Sequence, residues 1–183
     1  MSSDRRRFDW QKIRKPQDSV AAVIATAGGA GLLPKAPGTW GTIVGIPIAW
    51  ITTPLPLETR IAFWSALFLI GVWSAKHLDQ LMETEDNQCV VIDEVVGLGV
   101  TAWMIPQESL WGWVGAFVVF RLFDIWKPFP IRWIDHWSHQ QTKRRPPHEA
   151  YWWSGFGVMA DDLLAGVYGL IVCVIAAHFW TAL

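Results

Sequence analysis

Four short segments press charged side chains directly against apolar sequence: Lys35-Ala-Pro-Gly-Thr-Trp-Gly41, Ile92-Asp-Glu94, Phe120-Arg-Leu-Phe-Asp-Ile-Trp-Lys-Pro-Phe-Pro130 and Ala160-Asp-Asp162. Ionisable groups held near apolar membrane depth are costly and mark function. Asp93, Glu94, Asp124, Asp161 and Asp162 outnumber Arg121 and Lys127 by three charges. Crowded carboxylates repel one another unless a cation intervenes. One or two Mg2+ ions would neutralise them through the hard oxygen donors that Mg2+ prefers, whereas zinc would call for His or Cys ligands. The competing reading is a set of unrelated interfacial ion pairs.

The basic partners suit a phosphate. Arg121 and Asp124 are three residues apart and share a helix face, as an internal salt bridge or as part of a site. Lys127 precedes Pro128, which biases it out of the helix and lets its ammonium turn towards the carboxylates. The fork of Arg grips two oxygens while Lys acts as a point charge. Lys35 to Gly41 resembles a backbone cradle for an anion: Pro37 and Gly38 favour a turn, and Thr39 is expected to cap the following helix. Pro-Gly-Thr also describes an ordinary helix-entry turn. His77, His136, His139, His148 and His178 look structural or solvated, with His77 and His148 in polar loops. Cys89 and Cys173 look like small buried hydrophobes.

These segments need elements to hold them, and the composition restricts which. The chain has 183 residues, 52% hydrophobic and only 17% charged, with 14 Trp and a formal net charge of −1. Disorder, a disulfide scaffold and nucleic-acid binding through a basic field are excluded. An integral membrane bundle or a very apolar soluble bundle remains. Uncharged runs cover residues 36–57, 61–75, 95–107, 109–120 and 163–183. Trp residues gather towards their ends, as in an interfacial aromatic belt. With helices at about 41–57, 60–76, 93–105, 109–121 and 162–183 and a cytoplasmic N-terminus, 14 of the 15 basic residues fall on the cytoplasmic side, Arg60 alone outside. That bias follows the positive-inside rule.

The expected fold is therefore all-α: an integral membrane helical bundle of about five crossings, with a short interfacial or re-entrant helix within residues 19–33. Residues 1–18 form a polar basic segment, and residues 19–183 a single membrane domain. Gly41/Gly45, Gly97/Thr101, Gly112/Ala116 and Ala165/Gly169 offer small-residue faces for close helix packing. Asp93-Glu94 and Asp161-Asp162 are each followed by two aliphatics and a small residue, and each pair is expected to open a helix. Residues 138–149 are expected to be a flexible cytoplasmic loop.

PGTWG, IDE followed by GLGVTAW, FRLFDIWKPFPIRW and MADDLLAG, in this order and spacing, closely resemble the phosphatidylglycerophosphatase A family from about Ala27 onwards. The FRxFDxWKPxPI stretch is the most specific of them. The resemblance implies a bacterial inner-membrane enzyme, with its site facing the cytoplasm, that hydrolyses the lipid phosphatidylglycerophosphate to phosphatidylglycerol and phosphate with Mg2+. Asp93, Glu94, Asp161 and Asp162 would hold the metal, with Asp124 a further ligand or the base that orients water. Arg121 and Lys127 would bind the phosphate, and the loop containing Lys35, Gly38 and Thr39 would close over it. Two departures stand out: residues 139–154 form a longer, more polar connection, and Ser154 takes the place of a usual Gly. A phosphatidyltransferase would need a DG-x2-AR…G-x3-D-x3-D pattern that this chain lacks. A cation transporter would place its acids at mid-bilayer rather than at run ends.

Overall fold

The computed structural model describes residues 8–181. They form seven α-helices and two single 3-10 turns, Trp10–Lys12 and Ala30–Leu32, with no strand among the described residues. Helix α1, Pro16–Ala25, starts with Pro at its first position. The Asp18 carboxylate reaches back to the Lys15 and Arg14 backbone N–H groups at 2.9 and 3.2 Å, the backward half of a capping box. Helix α2, Pro37–Thr52, begins after Ala36, whose φ of 49° is left-handed. Helix α3, Leu57–Met82, runs 26 residues and stops at Glu83, also left-handed.

The centre of the molecule is α4, Ile92–Thr101, in which all residues but Glu94 and Val100 are buried. Helices α2, α3, α5 (Leu110–Trp126) and α7 (Pro147–Thr181) pack around it. Glycines permit the closeness. A Cβ at Gly41 would strike Val91, and one at Gly45 would crowd Val95 and Leu98, so the Gly41/Gly45 face lets α2 lie on α4. On the opposite side, a Cβ at Gly166 would run into the Gly97 carbonyl, and one at Gly169 into the Thr101 side chain. Thr101 Oγ1 donates to Gly97 O and Gly166 O at 3.0 and 3.2 Å. The Gly97/Thr101 pair thus meets Gly166 and Gly169, and it sets α4 against α7 one turn beyond the acids of both.

Several expected boundaries shift. Residues 131–144 are a helix, α6 (Ile131–Arg144), and α7 begins at Pro147, so the polar stretch 138–149 is not a flexible loop. Its apolar periodicity is thin, but Ile131, Ser138 and Thr142 form a buried stripe against α7, and Trp137 packs edge-on to Trp153 at 5.0 Å. Asp161 and Asp162 lie deep inside the 35-residue α7 rather than opening a helix, so the helix-dipole explanation serves only Asp93 and Glu94, in the first turn of α4. His77 sits within α3, not in a loop, and its Nε2 lies 2.9 Å from Asp18 Oδ1.

Two helices, α3 and residues 149–179 of α7, are long and apolar enough to cross a membrane. Outward-facing Leu69, Ile70, Val118, Leu122, Ile171 and Ile175 are exposed on the bundle's flanks, where a soluble protein would carry polar side chains. Length and composition thus support crossing for two of the five expected runs. At 1.5 Å per residue the 10-residue α4 rises only about 15 Å, half the hydrocarbon thickness.

Candidate functional site

The first turn of α4, the end of α5, the middle of α7 and the entry to α2 converge on one cavity of about 460 Å3. Its walls include Asp93, Glu94, Arg121, Asp124, Lys127, Asp161 and Asp162, seven of the eight charged residues singled out by sequence, Lys35 being the exception. Asp93, Asp161 and Asp162 are buried. Asp93, Glu94 and Asp162 each bring a carboxylate oxygen within 4.8 Å of the others. Asp93 Oδ1 and Glu94 Oε2 are buried and make no hydrogen bond. Unpaired buried carboxylate oxygens are costly, and an oxygen-only donor set of this kind fits a hard divalent cation such as Mg2+.

Consecutive Asp161 and Asp162 divide their tasks. Asp161 forms an ion pair with Lys127, whose ammonium also lies 3.4 Å from Asp135. Asp162 turns to Asp93 and Glu94 instead. Lys127 ends α5 in the left-handed region, at φ 44°, with its N–H returned to Phe123 O. Leaving helical geometry in this way turns its side chain across to α7, the departure that Pro128 predicts. Arg121, six residues earlier, pairs with Asp124 at 2.6 Å and lies 3.7 Å from Glu94. The intrahelical salt bridge is therefore real and sits inside the cavity rather than on an outer face.

The α2 entry contributes backbone. Ala36, Pro37 and Gly38 line the cavity, and a Cβ on Gly38 would collide with Glu94 Oε1 and Arg121 Nη1. A side chain there would push both groups from their present positions, and glycine leaves them that space. The Gly38 N–H lies in the first turn, where a helix has no internal acceptor to offer. Thr39 is not the cap: the cap position is Ala36, which has no side-chain bond to make, and Thr39 is the third helical residue. Lys35 is exposed, and neither Lys35 nor Thr39 is among the residues lining the cavity.

Sequence reasoning missed Asp135 and the trio Asp86, Asn87 and Gln88, which also line the cavity. Asp135 belongs to α6, a helix that the uncharged runs did not mark. The trio lies on the α3–α4 loop, which is built around Asp79. That carboxylate accepts from Ser154 Oγ at 2.7 Å, Asn87 N at 3.0 Å and Asp86 N at 3.3 Å. Ser154, where the resemblance expects Gly, thereby anchors the loop to α7. Asp86, like Ala36 and Lys127, has positive φ; such conformations in non-glycine residues cost energy and cluster at functional sites.

A model of the family described as phosphatidylglycerophosphatase A matches residues 23–177. Among curated relatives, the phosphatidylglycerophosphatase A of Escherichia coli K12 is 32% identical over 176 residues, 96% of this chain and 94% of its own. The Haemophilus influenzae protein of the same name is 36% identical over 160 residues, covering 86% of this chain and 88% of its own. No solved structure matches the chain.

Proposed function

The chain belongs to the phosphatidylglycerophosphatase A family, and from that premise we propose that it hydrolyses the phosphate monoester of phosphatidylglycerophosphate to phosphatidylglycerol and phosphate. The relatives' names describe phosphatases acting on a phosphate monoester. The observation that carries the assignment is the gathering of seven charged residues from α4, α5 and α7 around one cavity. An isolated ion pair needs two residues; a site that grips a phosphate and holds a metal needs all of them.

Asp93, Glu94 and Asp162 are the proposed Mg2+ ligands, with Asp161 at the edge of the set because Lys127 engages it. When bound there, Mg2+ supplies positive charge to the phosphoryl oxygens and neutralises the carboxylate cluster. Arg121 binds two phosphate oxygens, its direction fixed by Asp124. Lys127 meets a third oxygen from the α7 side, held by Asp161 and Asp135. Gly38 N–H closes the phosphate from α2. Asp124 spends one oxygen on Arg121 and offers the other to the attacking water, accepting its proton. A new P–O bond forms to that water as the bond to the lipid glycerol oxygen breaks in line with it. That oxygen takes a proton from solvent and leaves as the phosphatidylglycerol hydroxyl, while the proton on Asp124 returns to solvent.

In the proposed orientation the cavity faces the cytoplasm in a bacterial inner membrane. From Asp162 to Thr181, α7 has 20 residues and rises about 30 Å, one hydrocarbon thickness. The preceding part of α7 then projects into the cytoplasm with α6. Phosphate release by the purified protein from phosphatidylglycerophosphate, phosphatidic acid and a phosphoinositide monophosphate tests the substrate assignment. The expected result is a kcat/KM for phosphatidylglycerophosphate at least tenfold above the others. Comparable or greater activity on another lipid phosphate would overturn it.

A further inference from the structure

A second polar cavity, of about 600 Å3, lies between the N-terminal segment, the start of α1 and the C-terminal half of α3. Its lining includes Lys12, Arg14, Lys15, Asp18, Lys76 and His77 and shares no residue with the catalytic cavity. Both cavities lie at one end of the molecule. Residues of α3 up to Leu81 line this one, and the loop that leaves α3 lines the other.

The charges in it are unevenly paired. Lys12 is engaged by Glu83 at 3.0 Å. Asp18, the acid of the lining, is occupied by His77 and by the Arg14 and Lys15 backbone N–H groups. Arg14, Lys15 and Lys76 have no carboxylate partner among the described ion pairs. The Arg14 Nε reaches only the Gln11 carbonyl, at 3.4 Å. Arg14 and Lys15 are exposed and Lys76 is partly buried, so these unpaired cations are free to meet an anion that enters the concavity.

The surroundings identify its kind. Lys76 Nζ lies 4.9 Å above the ring of Trp152, itself half exposed. On α1, Val20 and Val23 are exposed, four and seven residues after Pro16 and on the same face. Trp10 is exposed two residues before Lys12. Basic side chains flanked by exposed aliphatics and tryptophans match the boundary between lipid headgroups and acyl chains. The chain's net charge of −1 gives a nucleic acid no long-range attraction.

We infer that this cavity is a binding site for the phosphodiester headgroup of an anionic phospholipid, distinct from the catalytic cavity. The bound lipid docks the N-terminal segment and α1 onto α3 at the membrane surface. The test uses the full-length protein in uncharged detergent, with native mass spectrometry counting retained dioleoylphosphatidylserine, a diester that offers no phosphate monoester to the catalytic cavity. Wild type is expected to retain one such lipid in preference to dioleoylphosphatidylcholine. Lys15→Gln/Lys76→Gln is expected to weaken retention about thirtyfold, at about fivefold per basic side chain removed, with lipid phosphatase turnover in detergent unchanged. Lys143→Gln/Arg144→Gln, which removes the same charge from α6, and Asp162→Asn, in the catalytic cavity, are expected to retain the lipid as wild type does. Equal retention of phosphatidylcholine, wild-type retention by the Lys15/Lys76 variant, or equal loss in the Lys143/Arg144 variant would each overturn the site. Displacement by glycerophosphoserine or inorganic phosphate at the concentration of the lipid would overturn the lipid assignment in favour of a soluble anion.

Discussion

Arg121 is tied at once to Asp124 and to Glu94, a proposed metal ligand, so its two proposed duties, a helix salt bridge and a phosphate clamp, separate only through substitution. Arg121→Lys keeps the charge and loses the planar fork. Losing a bidentate charge-assisted contact costs about 1.5 to 3 kcal/mol, so kcat/KM should fall by about one to two decades with Mg2+ dependence retained. A surface-type pair would lose at most about 1 kcal/mol, and near-normal kcat/KM would return Arg121 to a structural role. Asp93→Asn and Asp162→Asn should each abolish turnover while thermal unfolding of the metal-free protein in detergent shows no loss of stability, because each removes one of several mutually repelling buried acids. A folded variant with wild-type turnover would contradict the assignment. These residues were legible in the sequence because a charge inside apolar surroundings is conspicuous wherever the chain runs. Asp135 and Asp86 were not, since each sits in polar sequence where an acid carries no signal.

At the scale of elements, the acids of the cavity are brought together by two backbones in contact rather than by the acids themselves. A Cβ at Gly97 would meet the Phe120 ring and the Asp162 carbonyl. Gly97→Ala should therefore separate α4 from α7, costing about 1 to 3 kcal/mol and most of the activity. Gly115→Ala on α5, where a Cβ meets nothing within 4 Å, should be neutral or stabilising by about 0.5 to 1 kcal/mol. Equal melting temperatures for the two variants would refute the close-packing account. The Asp18–His77 contact gives α1 a pH response. Hydrogen bonds from His77 and the Lys15 and Arg14 N–H groups hold the Asp18 carboxyl below its ordinary value. The stabilisation is thus complete above the unfolded value of about 4 and fades as pH falls through the lower folded value. Hydrogen exchange in α1 should accelerate below about pH 4 in wild type and show no such step in Asp18→Asn. Helix type was legible throughout the apolar runs, and the small-residue faces at Gly41/Gly45 and Gly97/Thr101 mark real contacts. What the runs concealed was where α6 and α7 begin: uncharged stretches report burial in lipid or core, whereas α6 runs from mixed sequence into the polar stretch 138–144 and α7 starts polar and continues into apolar.

At the scale of the molecule, the account requires the acids and the polar ends of α6 and α7 on one membrane face. Basic residues divide 14 to 1 between the faces in the expected topology, although Arg5, Arg6 and Arg7 lie outside the described residues. Impermeant thiol labelling from the periplasmic side should reach a cysteine placed after Leu183 and miss one at the exposed Lys143; the reverse pattern would invert the orientation. Orientation matters because the charged headgroup must reach the cavity while its acyl chains stay in the bilayer. The account stands or falls on whether that cavity uses its carboxylates to hold a metal for phosphate release. Turnover of phosphatidylglycerophosphate by the purified protein should be measured after EDTA treatment and again during Mg2+ titration, in wild type and in Asp162→Asn. The account predicts that wild-type phosphate release falls to background with EDTA and returns saturably with Mg2+, while Asp162→Asn stays at background. Undiminished phosphate release in EDTA, or full activity of Asp162→Asn at the same Mg2+ concentration, would contradict it.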